Sequence, residues 1–273
     1  MPLAQRFPTK SVRRVHMATE GWHGWDEYAP FYDWENARTF GRRDVRFWID
    51  QASRLGGPVL ELGCGTGRLS LPVARVVERF VGIDRSASML TRLRKRLRRG
   101  RLGGRATLVR CDIRALPFRK RWRFQLVMAP YGMLQSLLRN SDLTATLGAV
   151  SQVLGKAGTF VIDLVPDLPR WDEYTRRISL RGRTTGGRNL TLIESVRQDR
   201  QRRLTIFEQE FVEQRGRQQT PHRFSLVFRT LTLRQIMNRL DQAGFRIEAV
   251  FGDYRGHEWC PEADAWVILA RRR

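Results

Sequence analysis

The sequence has little cysteine and little histidine, three and four residues respectively among 273. The cysteines, Cys64, Cys111 and Cys260, are odd in number and widely spaced. That spacing argues against a disulfide framework and against a zinc site, and it fits a reducing cytoplasm. His222 has no second histidine at metal-ligand spacing, so no metal is expected.

Long hydrophobic runs are also absent. No apolar stretch approaches the ~18–20 residues that cross a bilayer, and residues 1–21 lack the apolar segment of a secretory signal. We therefore expect a soluble cytoplasmic protein with no membrane partner. Residues 1–20 are polar and without period, which predicts a disordered extension, and Met17 within them is an alternative start.

Lysine is scarce, whereas arginine is abundant. Only four of the 50 basic residues are lysines, and the net charge is +23. Such a charge is typical of nucleic-acid binders, but their binding segments more often mix both cations and interleave aromatic residues. The densest run, residues 91–105, has Leu93 and Leu97 four apart and no aromatic residue. We interpret it as a solvated helix face with an apolar stripe, so a nucleic-acid partner stays possible but is not favoured over a small molecule.

From residue 21 onward the pattern predicts an α/β fold. Aromatic residues at helical spacing indicate a helical cap over 21–57. Short β-rich runs then alternate with helical patterns, which is typical of a parallel sheet with crossover helices. The strand candidates are 58–62, 79–84, 107–112, 124–129 and 159–164; the helix candidates are 67–77, 87–98 and 141–154, with a loop over 113–123.

The pattern changes over 175–231, where apolar and polar residues alternate in several runs joined by turn sequences. This predicts an antiparallel β insert with one buried face. A helix over 233–244 and strands over 245–253 and 264–271 then restore the α/β order. The predicted core is thus 58–174 with 232–273, and the insert is either a substrate lid or a dimer element, with monomer and homodimer both open.

Three glycines at alternate positions, Gly63, Gly65 and Gly67, follow the first strand. Glycine lets the backbone approach a ligand closely, and the helix that follows points its first amides at that ligand. The dinucleotide pattern G-x-G-x-x-G would need a glycine at the position of Arg68. Glu61 beside the turn would repel a pyrophosphate but suits an ammonium group.

Two further acids extend this site. Asp84 ends the second strand, 21 residues after Gly63, where an acidic side chain accepts hydrogen bonds from ribose hydroxyls. Asp112 closes the third strand with Ile113 beside it, which suits the amino group and the face of an adenine ring. A ligand with an ammonium group, a ribose and an adenine but no phosphate is S-adenosylmethionine.

The run E-L-G-C-G-T-G at 61–67, Asp84 and C-D-I at 111–113 resemble the cofactor motifs of class I S-adenosylmethionine-dependent methyltransferases. The resemblance extends over 58–165 and, less strongly, 233–273. It implies a Rossmann-like, doubly wound sheet of seven mostly parallel strands, with S-adenosylmethionine as cofactor. The insert resembles that of small-molecule N-methyltransferases acting on glycine and sugar amines. The implied cofactor residues are Tyr32, Arg38 (for the methionyl carboxylate), Glu61, Gly63, Cys64, Gly65, Gly67, Asp84, Arg85, Asp112, Ile113 and Ala129.

The substrate side carries fewer signals. Enzymes that methylate base amines have Asn, Asp or Ser before two prolines and an aromatic residue after the fourth strand, whereas this chain has Met-Ala-Pro-Tyr at 128–131. Asp163 and Asp167 either face the substrate or cap the following turn, and both alternatives stay open. No residue pair indicates a general base. The substrate-side candidates are Tyr131, Tyr254 and His257.

These observations favour a methyltransferase acting on a nitrogen or oxygen atom of a small molecule. An RNA or protein methyltransferase is the first alternative, supported by the basic charge and opposed by the missing amine-binding residue. A non-catalytic cofactor-binding protein is the second, opposed by the intact set of glycines and acids.

Overall fold

The computed structural model describes residues 24–39, 43–119, 122–166, 172–263 and 265–273. The predicted N-terminal extension and Asp167 lie outside these residues. Two helices come first, α1 (Trp25–Thr39) and α2 (Val45–Leu55). No helix in these ranges is long and apolar enough to cross a membrane.

A seven-stranded sheet forms the centre of the fold, in the order β10-β11-β5-β4-β1-β2-β3. Strands β1 to β5 pair in parallel, whereas β11 is antiparallel to both of its neighbours. The predicted α/β sheet is therefore confirmed. Its elements are β1 (Pro58–Leu62), α3 (Ser70–Val76), β2 (Arg79–Asp84), α4 (Ala87–Arg99), β3 (Ala106–Arg110), β4 (Phe124–Ala129), α5 (Asn140–Val153), β5 (Leu154–Leu164) and, after the insert, α6 (Leu233–Gln242), β10 (Phe245–Phe251) and β11 (Trp266–Arg272).

Alternation along β1 shows why helices cover both faces of the sheet. Leu60 and Leu62 pack in one buried cluster, and Val59 packs in another on the opposite face. A strand buried on both faces is mostly apolar, and the exception in β1 is the buried Glu61. On the second face α4 contributes Leu93 and Leu97, as the sequence predicts, whereas its Arg94, Arg98 and Arg99 are exposed.

Four antiparallel strands make a second sheet, in the order β6-β7-β8-β9. One face of this sheet packs against α1, where Tyr28 and Trp34 meet Phe211 in an aromatic cluster separate from the two clusters of the main sheet. The predicted antiparallel insert is confirmed, and its apolar face is covered by α1. The strands are β6 (Tyr174–Arg183), β7 (Asn189–Asp199), β8 (Leu204–Arg215) and β9 (Gln218–Arg229).

The element bounds differ from the predictions mainly at glycines and at strand ends. β5 begins at Leu154, five residues before its predicted start, and Leu154 already pairs with Phe124. The prediction missed this part of the strand because the glycines at 155 and 158 interrupt its apolar sequence pattern. β3 ends at Arg110, so Asp112 follows the strand instead of closing it.

Candidate active site

The turn between β1 and α3 has all three glycines at positive φ, +62° for Gly63, +52° for Gly65 and +92° for Gly67. Side chains rarely adopt this conformation, so the turn requires glycine. At Gly67 a Cβ atom would also come within 2.2 Å of Leu93 Cδ1. The turn therefore packs directly on α4.

Glu61 lies buried at the end of β1 and accepts a hydrogen bond from Ser70 Oγ at 2.5 Å. Burial raises the pKa of Glu61 to about 8, although the bond from Ser70 and the charge of Arg68 oppose the rise. Since Glu61 also lines the cleft above the turn, a ligand ammonium group would supply the positive charge that favours its ionised form.

Asp84 holds the same turn from the end of β2. It accepts hydrogen bonds from the backbone N–H groups of Gly65 at 2.9 Å and Ser86 at 2.8 Å. Burial raises its pKa above the ordinary value, against the effect of these bonds. Asp84 therefore fixes the turn while lining the cleft.

Asp112 lines the cleft as well, but its carboxylate is already engaged. Arg114 Nη2 lies 2.7 Å and Arg85 Nη1 3.1 Å from Asp112 Oδ2. Burial alone would raise the pKa of Asp112, and the arginines outweigh it and hold the pKa below its usual range. A group that binds here meets a carboxylate flanked by two guanidinium groups.

Helix α1 is attached to the glycine turn and to the start of α4 through two carboxylates seven residues apart, which lie on one side of the helix. Asp26 accepts hydrogen bonds from Ser86 Oγ at 2.5 Å and from the N–H of Ser88 at 3.0 Å. Asp33 accepts one from Thr66 Oγ1 at 2.6 Å and pairs with Arg96 at 2.8 Å. Between them, Tyr32 lines the cleft.

The resulting cleft has a volume of about 410 Å³, which suits a small organic ligand. It fits S-adenosylmethionine by its chemistry: a buried carboxylate at one end of the turn, a second acid at the end of β2, and glycines that let a ligand lie against the backbone. Groups of ≥ 3 metal-binding side chains do not occur within the described residues.

Residues 59–158 match the sequence profile of a family described as "Methyltransferase domain". Residues 59–158 are therefore identified as a methyltransferase domain. No curated protein matches the sequence.

Solved structures with the same fold cover almost the whole chain. An S-adenosylmethionine-dependent methyltransferase from Clostridium acetobutylicum is 17% identical, with a TM-score of 0.74 over 91% of this chain and 98% of that one. The sugar N-methyltransferase KedS8 from Streptoalloteichus sp. is 14% identical, with a TM-score of 0.72 over 98% of this chain and 100% of that one. A third structure is the amino pentose methyltransferase CalS10 from Micromonospora echinaspora with S-adenosylmethionine bound. It is 18% identical, with a TM-score of 0.69 over 89% of this chain and 96% of that one.

The cleft of the methyltransferase brings together most of the residues expected from the sequence. Two of them lie beside it: Gly67 packs on α4, and Ala129 is buried at the end of β4. Cys64 is buried, and burial raises the pKa of its thiol well above the ordinary value, as expected for a residue without a redox role. The expected residues that line the cleft are Tyr32, Glu61, Gly63, Cys64, Gly65, Asp84, Arg85, Asp112, Ile113 and Tyr131.

The structure does not bring Arg38 to the cleft, which corrects its expected position. Its guanidinium lies 4.6 Å from the centre of the Trp34 ring and donates to the carbonyl of Arg183. Arg38 is six residues beyond Tyr32, which places it about 9 Å further along α1 and on another side of the helix.

Arg68 also lines the cleft, although the sequence analysis did not predict it as a site residue. It was noted there only because the dinucleotide pattern would need a glycine at that position. Its two Nη atoms donate to the two carboxylate oxygens of Asp44, just before α2, at 2.7 Å and 2.6 Å. The guanidinium lies 5.5 Å from the centre of the Tyr131 ring. The sequence signal that could have indicated this cleft residue is a basic residue directly after the glycine motif.

Tyr131 lines the cleft, but the other two substrate-side candidates do not. Tyr254 donates to Asp163 at 2.7 Å, outside the lining of the cleft. His257 is exposed and bonded to Asp253. Neither side chain belongs to the lining of the cleft.

Asp163 fixes the turn that carries Tyr131. It is buried on β5, accepts a bond from the N–H of Gly132 at 2.7 Å, and lies outside the cleft lining. Burial raises its pKa to about 6. Tyr131 itself has φ +67°, a strained value that this turn enforces.

Proposed function

We propose that this methyltransferase transfers a methyl group to a small molecule, with an amine nitrogen favoured over a hydroxyl oxygen as acceptor. S-adenosylmethionine, when bound, supplies a methyl group that its sulfonium already activates. The protein's part is then to hold the two reactants in line, which is worth up to ~7–11 kcal/mol.

The cofactor contacts are assigned from the geometry above. Glu61 faces the ammonium group, Asp84 the ribose hydroxyls, and Ile113 the adenine. Arg68 replaces Arg38 as the candidate for the methionyl carboxylate, because it lines the cleft and its charge acts on Glu61. We place the methyl acceptor beside other lining residues of the cleft, which include Tyr131 and Phe228.

The composition of the lining beside the acceptor carries the proposal. We assign to the acceptor the described lining residues Tyr32, Tyr131, Met133, Ser136, Leu137 and Phe228, none of which has a carboxylate or an imidazole group. Desolvation raises the pKa of both tyrosines above the ordinary value, so neither is ionised near neutrality. An alcohol needs a base to become a good nucleophile, whereas a neutral amine already has a free lone pair. The similar structures KedS8 and CalS10, a sugar N-methyltransferase and an amino pentose methyltransferase, support the same choice.

The insert, residues 175–231, is proposed as the roof over the acceptor, and 58–174 with 232–273 as the cofactor core. Phe228 on β9 carries this assignment, since it brings the insert into the cleft lining. The helical cap at 21–57 joins the two, because α1 bonds to the glycine turn and packs on the insert.

The test is a methyl-transfer screen with labelled S-adenosylmethionine and three separate pools: small amines including amino sugars, small alcohols, and RNA. We expect label in the amine pool. Label confined to RNA or to alcohols would overturn the proposal.

A point variant then tests the roof. Phe228→Ala should raise the KM of the accepted amine several-fold and leave S-adenosylhomocysteine affinity unchanged. Phe207→Ala is the matched control, because Phe207 packs on the Phe228 ring at 6.0 Å between ring centres but does not line the cleft. Equal effects of both variants would mean that Phe228 acts through packing alone. Replacing 176–230 with a linker is less informative, since it would uncover the aromatic residues of α1.

A further inference from the structure

A row of exposed cations lies on the outer side of α4 and on the turn that follows it. The leucines between them point inward and are buried, so the charges share one surface. We call this surface the basic face; its residues are Arg94, Lys95, Arg98, Arg99 and Arg101.

The basic face is electrostatically uncompensated. Two other arginines of α4, Arg92 and Arg96, point toward α1 and pair with Asp33 at 3.7 Å and 2.8 Å. Within the described ranges, none of the five residues of the basic face forms an ion pair with an acidic residue. α4 therefore uses one set of cations to hold the fold and presents the other to solvent.

The turn beyond α4 leaves room for a partner. Gly103 and Gly104 are exposed, and a Cβ atom at either position would meet nothing within 4 Å. Arg105 follows them, also exposed, at the start of the edge strand β3. A backbone or phosphate group can approach such a turn closely.

We infer that the basic face binds the phosphate backbone of double-stranded nucleic acid without reading its sequence. Arg94 and Arg98 are one helical turn apart, about 6 Å, and α4 is about 20 Å long. A duplex carries one phosphate charge per ~1.7 Å of its axis, so a helix of this length lies along several phosphates. Arginine suits phosphate because its guanidinium donates two hydrogen bonds in parallel.

The same face argues against other polyanionic surfaces. It carries no exposed aromatic residue on which unpaired bases could stack, which single-strand binders use. It carries no exposed apolar side chain, which a helix needs to enter a membrane surface. The charge of the phosphate backbone is therefore the feature that the basic face can recognise.

This surface is separate from the methyl acceptor site. In the main sheet, β3 beside the basic face and β4 beside Tyr131 are separated by β1 and β2. The duplex is therefore a docking partner and not the methyl acceptor, and the inference does not depend on the proposed function.

Two variants of equal charge test the inference. The first changes the five residues of the basic face to glutamine. The control changes five other exposed arginines, on the insert, α6 and the loop after β10: Arg200, Arg215, Arg217, Arg234 and Arg255. Both lower the net charge from +23 to +18. Binding to labelled DNA and RNA duplexes of about 20 base pairs is followed by fluorescence anisotropy over a range of salt concentrations.

We expect the basic-face variant to bind both duplexes at least about tenfold more weakly at about 0.15 M salt, with the control close to the unmodified protein. The slope of log K against log salt should fall by about 0.9 for each phosphate that the variant no longer neutralises. A third variant with lysine at the four arginines of the basic face should retain binding. Preserved S-adenosylhomocysteine affinity shows that each variant is folded.

Equal weakening in the two glutamine variants would show that net charge alone binds the duplex, and would overturn the inference. So would no binding by the unmodified protein at that salt concentration. Tight binding to anionic vesicles or to an acidic peptide, with none to either duplex, would assign the face to another class of partner. A difference between the DNA and RNA arms identifies which duplex is preferred.

Discussion

Gln209 on β8 joins two carboxylates: its amide nitrogen donates to Glu35 of α1 at 2.9 Å and to Glu194 of β7 at 2.8 Å. The other oxygen of Glu35 accepts a bond from Tyr28. Burial raises the pKa of Glu35 to about 7, against these two bonds, and the charge of Glu194 adds to the rise. The junction between α1 and the insert therefore contains a group that titrates near neutral pH.

Glu35→Gln should make the stability of the protein less sensitive to pH. Because the pKa of Glu35 is higher in the folded protein than its ordinary 4.5, the folded state holds this proton more tightly. The free energy of unfolding therefore falls as pH rises from about 4.5 through about 7, by at most about 3 kcal/mol from this group. The glutamine side chain cannot ionise, so the variant should lack this part of the decrease in the free energy of unfolding.

The measurement is chemical unfolding between pH 5 and pH 8. Asp50→Asn is the control, since Asp50 forms a surface ion pair with Arg46 and should leave the pH dependence unchanged. Parallel curves for Glu35→Gln and the unmodified protein would show that Glu35 is not the titrating group.

Asp84→Asn should weaken cofactor binding and also loosen the glycine turn. Gly65 and Ser86 donate to different oxygens of Asp84, so the amide can accept only one of these bonds and turns an NH2 group toward the other donor. It also loses the charge that strengthens the remaining bond and the bonds to a ribose. Charge-assisted bonds are worth ~1.5–3 kcal/mol, so we expect about a 10- to 150-fold loss of S-adenosylhomocysteine affinity by calorimetry. An unchanged dissociation constant would remove Asp84 from the cofactor site.

Gly67→Ala and Gly65→Ala form a matched pair, because both glycines have positive φ. At Gly67 the new Cβ overlaps Leu93 at 2.2 Å and Leu71 at 2.7 Å, so the melting temperature should fall sharply. At Gly65 the nearest atom is Tyr32 Cε1 at 3.9 Å, so the fold meets only the cost of an alanine at positive φ, about 1–2 kcal/mol.

Gly65 lines the cleft, and its alanine variant should therefore lose cofactor affinity while remaining folded. Thermal melting and S-adenosylhomocysteine binding are measured on both variants. Stability losses of equal size would contradict the difference in packing between the two positions.

Arg68→Lys should loosen the contact between the glycine turn and the start of α2. A lysine keeps the charge but cannot donate to both oxygens of Asp44, whose side chain is 9% exposed. We expect destabilisation by about 1–3 kcal/mol, the cost of a lost bond to a partly buried charge. Arg46→Lys, in an exposed ion pair, serves as control and should change stability very little. Equal effects at the two positions would contradict the role of the paired bonds.

The main sheet and the cofactor turn could be predicted because their signals are local. Val59, Leu60 and Leu62 make β1 a mostly apolar strand, and the glycines at 63, 65 and 67 each require a backbone conformation that other residues avoid. Asp84 reaches the turn because parallel strands bring their carboxyl ends to one edge of the sheet. Sequence order alone therefore determined the sheet, the turn and the acids beside it.

Only the tertiary structure decided which distant side chains complete the site. Arg38 and Arg68 are both arginines near aromatic residues. Arg68 follows the glycine motif directly, but that position alone does not show where its side chain lies. In the structure Arg68 lines the cleft, whereas Arg38 lies further along α1 and outside it. Phe228 lines the cleft although no pattern in the sequence indicated it, whereas the expected Tyr254 does not. The insert that carries Phe228 packs on α1, a contact between distant parts of the chain. Contacts between residues far apart in the chain depend on how whole elements pack, and that packing is set by surfaces which no single segment of sequence contains.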